Sequence, residues 1–202
     1  MSSLCLYKSR YVKFAVAKAF WMILIEIFAS HLSHGCHTNS FWSYKGRNQG
    51  GYSILQRIDK GMKQVTVTKQ VNAPADKIWE IVRTGNDIDK WMPIIASCTL
   101  VGRGKGAKRT CTTAEGKTLE ETIINVDDMN KELIYSIDKQ EMMPIQNIIN
   151  KVRISESMNN TTIHWKAEFD MLDDSMFPAV EQGLKDLFGM GIQGLESAAM
   201  MS

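Results

Sequence analysis

Acidic residues are scarce at the start of the chain, and histidine is scarce in the rest of it. The first 61 of the 202 residues contain eight of the 24 Lys and Arg but only two of the 22 acids, Glu26 and Asp59. From Met62 onward 20 acids outnumber 16 basic residues, and His164 is the one histidine. Nucleic-acid binding needs clustered cations, so an acidic domain argues against that class of partner. The sequence therefore predicts two pieces that meet near residue 62.

Cysteine is scarce as well, with four in the chain, which excludes the disulfide framework of a small secreted protein. The densest group of possible metal ligands is "HLSHGCH", which contains His31, His34, Cys36 and His37. Zinc sites usually place two pairs of ligands on either side of a folded spacer, and this cluster has no such spacer. We therefore predict no metal site, and no motif indicates a cofactor.

The N-terminal piece leaves three interpretations open. Basic residues precede the apolar run from 14 to 29, as in a secretory signal or membrane anchor, but Lys18 and Glu26 interrupt that run. We predict that residues 1–61 form a poorly structured or loosely helical extension, with a leader preceding a start at Met62 as a further possibility. The expected location is cytoplasmic; the alternative is secretion or membrane anchoring if residues 1–30 act as a signal.

Residues 62–202 contain the strand, turn and helix-cap signals of a folded domain. The run from 64 to 71 alternates like a strand, and Pro74 and Asp76 then suit the first turn of a short helix. A second short turn, "DIDKWMP", comes before six strand-sized segments joined by short connections such as "AEG" and "MNN", which favour antiparallel hairpins. A long helix with an apolar stripe is predicted from about Met176, with Asp174 or Ser175 as its cap.

This order, together with "APADKIWEIV", "GAKRT", "LEETIINVDD", "LIYSI" and "IHWKAEF", resembles the START-like superfamily, also called SRPBCC or Bet v 1-like, and its polyketide cyclase/dehydrase-related group. The resemblance implies an α+β helix-grip fold. In that fold a curved antiparallel sheet of about seven strands wraps around a long C-terminal helix, and two short helices follow the first strand. It also implies an internal cavity that binds an apolar small molecule such as a lipid, a polyketide or a quinone.

Counting residues about the hairpin turns predicts which side chains share the cavity face. A three-residue turn centred on Glu115 places Arg109 opposite Glu121 and Cys111 opposite Leu119. The same counting places Cys98 opposite Cys111. Two facing thiols can be oxidised to a disulfide, but in a reducing compartment we expect them to pack as small apolar residues. Arg109 and Glu121 on an apolar face are costly unless they pair, so we expect a buried salt bridge that either satisfies itself or anchors a ligand.

The predicted ligand-binding residues all lie on inward positions of strands or of the long helix: Arg109, Cys111, Glu121, Tyr135, Trp165, Phe169, Leu184 and Phe188. The alternative to binding is a cyclase or dehydratase of the polyketide type, with Glu121 as base and Arg109 or Tyr135 as oxyanion donor. His164 has the parity of the outer face, which favours binding without turnover. Membrane contact is expected only through the N-terminal extension, and the sequence does not indicate an oligomeric state.

Overall fold

A computed structural model of the protein describes residues 61–158 and 160–202, and the predictions on the N-terminal extension, its histidine cluster included, lie outside these residues. The elements are β1 (Lys63–Val71), α1 (Ala75–Val82), α2 (Ile88–Trp91), β2 (Ile95–Val101), β3 (Lys108–Thr113), β4 (Thr118–Asp127), β5 (Glu132–Lys139), β6 (Ile145–Ser157), β7 (Asn160–Met171), a 3₁₀ turn (Asp174–Met176) and α3 (Phe177–Met201). Within the described ranges no helix is long and apolar enough to cross a membrane.

Within residues 61–158 and 160–202, seven strands form one antiparallel sheet in the order β1-β7-β6-β5-β4-β3-β2. Register shifts interrupt β2, β4 and β6, and such bulges bend a strand and increase its twist. The long helix α3 contacts β1, β7 and both short helices. The α+β helix-grip fold predicted from the sequence is therefore confirmed.

The predicted register of the hairpins is also confirmed. Arg109 pairs with Glu121 across β3 and β4, and Cys98 pairs with Cys111 across β2 and β3. His164 lies on the outer face, where its ring contacts the hydroxyl groups of Thr68 and Ser155 at 3.0 and 3.4 Å. Because side chains alternate along a strand, these pairings fix which residues face α3.

Helix α1 turns the chain back over the sheet. Pro74 is its N-cap residue, and Ile78 and Trp79 are buried on its inner face. Asp76 lies in the first turn, where its exposed carboxylate contacts Lys131 Nζ at 3.0 Å. An acid in this position complements the positive end of the helix dipole, so Asp76 has a structural explanation.

The start of α3 differs from the prediction in its capping residue. Asp173, rather than Asp174 or Ser175, accepts a hydrogen bond from the backbone N–H of Ser175 at 3.0 Å. This contact caps the 3₁₀ turn, and the N-cap of α3 itself, Met176, makes no side-chain cap hydrogen bond. A turn of 3₁₀ helix precedes α3, and for this reason the capping residue lies one position before Asp174.

Two glycines allow α3 to approach the rest of the domain closely. A Cβ atom on Gly194 would lie 1.8 Å from the carbonyl oxygen of Trp91, and one on Gly191 would lie 2.6 Å from the ring of Trp165. The missing side chains therefore make room for backbone and indole groups. Gly189 is different, because its added Cβ would meet only the flexible end of Lys69, at 3.2 Å from Nζ.

We expect Gly194→Ala to lower the free energy of unfolding by about 1–3 kcal/mol, since the new methyl group displaces the backbone of α2. Gly189→Ala is the matched control: it adds the same methyl group to the same helix and replaces glycine with the best helix former, a change worth roughly 1 kcal/mol in favour of the helix. Urea unfolding measures both. Equal stabilities for the two variants would contradict the close approach at Gly194.

Candidate functional site

A cavity of about 90 Å³ lies between the concave face of the sheet and helices α2 and α3. Seven of the eight predicted ligand-binding residues contribute to its wall: Arg109, Cys111, Glu121, Tyr135, Trp165, Leu184 and Phe188. Phe169 is fully buried on the same face of β7, but it is not among the residues that form the wall. An inward-facing position on a strand therefore places a side chain in the core. The position of the residue along the strand then decides whether its side chain contacts the cavity.

Arg109 and Glu121 form a buried ion pair in this wall. The Nε atom of Arg109 donates to Oε2 of Glu121 at 2.6 Å, and the two side chains are 2% and 8% exposed. Nη1 of Arg109 donates to the carbonyl oxygen of Gly85 at 2.8 Å, and the guanidinium lies 5.0 Å from the ring centre of Tyr135. The guanidinium therefore joins β3 and β4 to the connection between α1 and α2.

The Tyr135 hydroxyl is held in its neutral form. Burial raises the pKa of this phenol far above its usual value, the nearby carboxylate of Glu121 raises it further, and Arg109 acts in the opposite direction. The group therefore stays protonated at all physiological pH values. Chemically it is a hydrogen-bond donor or acceptor, and it does not serve as a phenolate base.

Two tryptophans on opposite elements meet at the cavity. Trp165 on β7 stacks on Phe188 of α3 with ring centres 4.9 Å apart, and Trp91 on α2 lies tilted against Trp165 at 6.2 Å. Both indole Nε1 atoms are shut off from solvent. The Trp165 indole interacts with the Tyr135 hydroxyl and lowers the pKa of Tyr135, whereas Nε1 of Trp91 has no hydrogen-bond partner among the described residues.

Sequence reasoning missed several wall residues, among them Trp91, Asn150 and Gln140. Asn150 lies on the inward face of β6 with Ile148 and Val152, so strand alternation contains the signal that identifies it. Trp91 has no comparable signal, because a four-residue helix has no measurable periodicity. Met142 and Met143, in the connection between β5 and β6, also form part of the wall.

Cys98 and Cys111 are joined by a disulfide bond, which corrects the expectation that they pack as reduced thiols. The pairing follows from the register, since the two Cα atoms lie 4.1 Å apart on neighbouring strands. Sγ of Cys111 also lies 3.9 Å from Oε2 of Glu121. The bond connects the edge strand β2 to the cavity wall.

The architecture is that of a helix-grip protein, a curved antiparallel sheet and a C-terminal helix enclosing a cavity. Residues 62–199 match the family described as polyketide cyclase / dehydrase and lipid transport. The chain belongs to this family, which confirms the predicted START-like or SRPBCC resemblance. No curated protein matches the chain at a significant level.

Solved structures of the same fold share little sequence with the chain. A putative uncharacterized protein from Bacillus thuringiensis is similar with a TM-score of 0.60 and 20% identity, covering 68% of this chain and 99% of its own. The protein XoxI from Bacillus cereus has a TM-score of 0.61 and 20% identity, covering 69% and 96%. The major latex-like protein 151 of Panax ginseng has a TM-score of 0.60 and 15% identity, covering 67% and 96%. At these identities the likeness shows the fold alone.

The ion pair generates a stability prediction. Removing one partner, as in Arg109→Met or Glu121→Gln, leaves the other buried group unpaired, which costs about 3–5 kcal/mol of unfolding free energy. The double variant Arg109→Met/Glu121→Leu leaves no charge behind and recovers most of that loss. A double-mutant cycle in urea measures both effects. Additive losses in the double variant would show that the two side chains act independently.

The disulfide generates a second prediction. Both cysteines should resist alkylation in the unreduced protein, and reduction should add two alkyl groups, at Cys98 and Cys111, as measured by peptide mass spectrometry. Because the bond closes a loop with a sequence separation of 13, reduction should lower stability by roughly 3 kcal/mol, as expected for a loop of this length. The variant Cys98→Ser/Cys111→Ser is the control, since reductant should leave its unfolding curve unchanged. Alkylation of either residue before reduction would contradict the bond.

Proposed function

We propose that this domain binds a compact, mostly apolar molecule in the cavity between the sheet and α3. The observation that carries the proposal is the composition of the wall. Aliphatic, aromatic and methionine side chains surround one ion pair, whose two charges neutralise each other, and a few polar groups. Ligand sites generally combine an apolar lining with a small number of placed polar groups. Membership in a family of polyketide cyclases, dehydrases and lipid transport proteins supports the same function.

The size of the cavity limits the ligand. A volume of about 90 Å³ is small beside the roughly 300–1,000 Å³ of typical sites for drug-sized molecules. A long lipid therefore requires the cavity to widen. Met142 and Met143 lie in the wall and are only partly buried, and methionine side chains adapt easily because they are unbranched and have three rotatable bonds.

The structure favours binding over turnover. Cyclisation or dehydration of a polyketide needs a general base near the reacting carbon. In the wall formed by the described residues, the carboxylate of Glu121 is already paired with Arg109, and the Tyr135 hydroxyl stays protonated. The wall contains no histidine, since His164 lies on the outer face.

A cavity-filling variant tests the proposal. Leu187→Trp adds bulk to a side chain of the wall on α3, whereas Leu172→Trp adds the same bulk at a position that is 58% exposed and outside the wall. We expect toluene and naphthalene to bind the parent protein and Leu172→Trp, and to bind Leu187→Trp at least about tenfold more weakly because an indole occupies their space. Ligand-observed NMR on the full chain measures this.

Equal binding of both probes to the two variants would show that they bind elsewhere and would overturn the proposal. Native mass spectrometry of protein purified from its own host adds an independent measurement, in which a co-purifying small molecule should be present in the parent and in Leu172→Trp. The same molecule should be absent from Leu187→Trp. Its chemical conversion during incubation would favour the enzyme alternative instead.

A further inference from the structure

One amide side chain of the cavity wall has no partner. The acidic, basic, phenol and amide side chains of the wall belong to Arg109, Glu121, Tyr135, Gln140 and Asn150. Four of them are engaged within the protein, whereas the Asn150 side chain makes no hydrogen bond to any described residue. Asn150 is only 2% exposed, so its carboxamide is a buried polar group whose hydrogen-bonding capacity is unused.

The other four polar side chains are satisfied by contacts inside the protein. Arg109 and Glu121 pair with each other at 2.6 Å, and the hydroxyl of Tyr135 interacts with the Trp165 indole. The Gln140 amide makes four hydrogen bonds of 2.8–2.9 Å to backbone groups of residues 142–145, two as donor and two as acceptor. Buried polar groups are normally satisfied in this way, so Asn150 is the exception that needs an explanation.

The Asn150 carboxamide faces the cavity. Asn150 lies on the inward face of β6 and forms part of the cavity wall. Its nitrogen and oxygen atoms are not sealed by neighbouring atoms as Nε1 of Trp91 is, so the space that they meet is the cavity. On β7 the residue opposite Asn150 is Ala167, whose methyl group is small. A group inside the cavity can therefore contact both ends of the amide.

A carboxamide places two demands on such a group. Its NH₂ carries two donors, and its oxygen has two acceptor sites. A ketone, ester or quinone only accepts, so it would leave the buried oxygen of Asn150 without a partner, and a hydrocarbon would leave both ends without one. A primary amide or a lactam meets both demands, because one N–H and the C=O lie on the same side of the group and can form two parallel hydrogen bonds.

We propose, on the basis of the function proposed above, that Asn150 selects the ligand, and that the ligand carries a neutral amide group of the primary amide or lactam type that pairs with the Asn150 carboxamide through two hydrogen bonds. The Arg109–Glu121 pair offers no unpaired counter-charge, so an ionised group in this position would be desolvated without compensation. The apolar body of the ligand then occupies the rest of the cavity.

Three one-ring probes of nearly the same shape test the assignment on the full chain. They are benzamide, acetophenone, in which a methyl group replaces the NH₂, and α-methylstyrene, in which a CH₂ group also replaces the oxygen. The probes differ in hydration, so the quantity to compare between variants is the ratio of the dissociation constants of acetophenone and benzamide. Titration by ligand-observed NMR gives all three constants.

Asn150→Leu removes both hydrogen bonds and keeps a side chain of similar size. We expect the ratio to be at least about fivefold larger in the parent than in this variant, which is the lower end for two hydrogen bonds. Asn125→Leu is the matched control, since it makes the same substitution at an exposed position of the sheet outside the wall, and there the ratio should keep its parent value. Binding of α-methylstyrene to both variants checks that the cavity is intact.

A second measurement needs no substitution. The side-chain NH₂ signals of Asn150 in the ¹⁵N–¹H spectrum of the parent protein should shift more with benzamide than with α-methylstyrene, because only benzamide supplies hydrogen-bond partners. This measurement decides the question if Asn150→Leu fails to fold. Equal shifts with the two probes would overturn the assignment of Asn150.

A ratio that is the same in the parent and in Asn150→Leu would overturn the proposal while leaving apolar binding intact, and it is the result expected if a trapped water satisfies the carboxamide. Failure of all three probes to bind the parent would overturn the proposed function together with this inference. The two failures are therefore distinguishable.

Discussion

The ion pair between Arg109 and Glu121 joins the hairpin of β3 and β4 to β5 and to the connection before α2. Its guanidinium contacts β4 through Glu121, β5 through the ring of Tyr135, and the connection before α2 through the carbonyl of Gly85. Gly85 has a φ of 66°, and a Cβ atom there would lie 3.2 Å from Ile123 and 3.7 Å from Arg109 Nη1. A backbone position without a side chain is therefore what brings the carbonyl within reach of the buried cation.

The second constraint is the close approach of α3, and it acts on the opposite side of the same cavity. Gly194 admits the backbone of α2, and Gly191 admits the ring of Trp165. With the ion pair fixing the connection into α2 and the glycines fixing its packing on α3, Trp91 is held from both directions. The adaptable part of the wall is then the connection between β5 and β6, where Met142 and Met143 lie. Rigidity and adaptability are thus separated within one small site.

The sequence predicts most of the fold because the fold depends on local rules. Hairpin turns fix the register, so counting residues about each turn predicts the pairing of Arg109 with Glu121 and of Cys98 with Cys111. The contact from Arg109 to Gly85 cannot be predicted in this way, since it joins residues 24 positions apart through the packing of a loop onto the sheet. Trp91 was missed because a helix of four residues has no measurable periodicity. Phe169 was assigned to the cavity because the alternation of side chains does not specify depth along a strand. The oxidation state of the cysteines depends on chemistry that register does not contain.

These two constraints also bear on whether the site binds or catalyses. A catalytic acid or base must change its protonation state during turnover. In this wall the charged groups neutralise each other, and burial together with the Glu121 carboxylate keeps the Tyr135 phenol protonated. The other side chains of the wall are aliphatic, aromatic, sulfur-containing, or neutral and polar. These features support the binding function proposed above, because a group that keeps its protonation state can hold a ligand without transferring a proton.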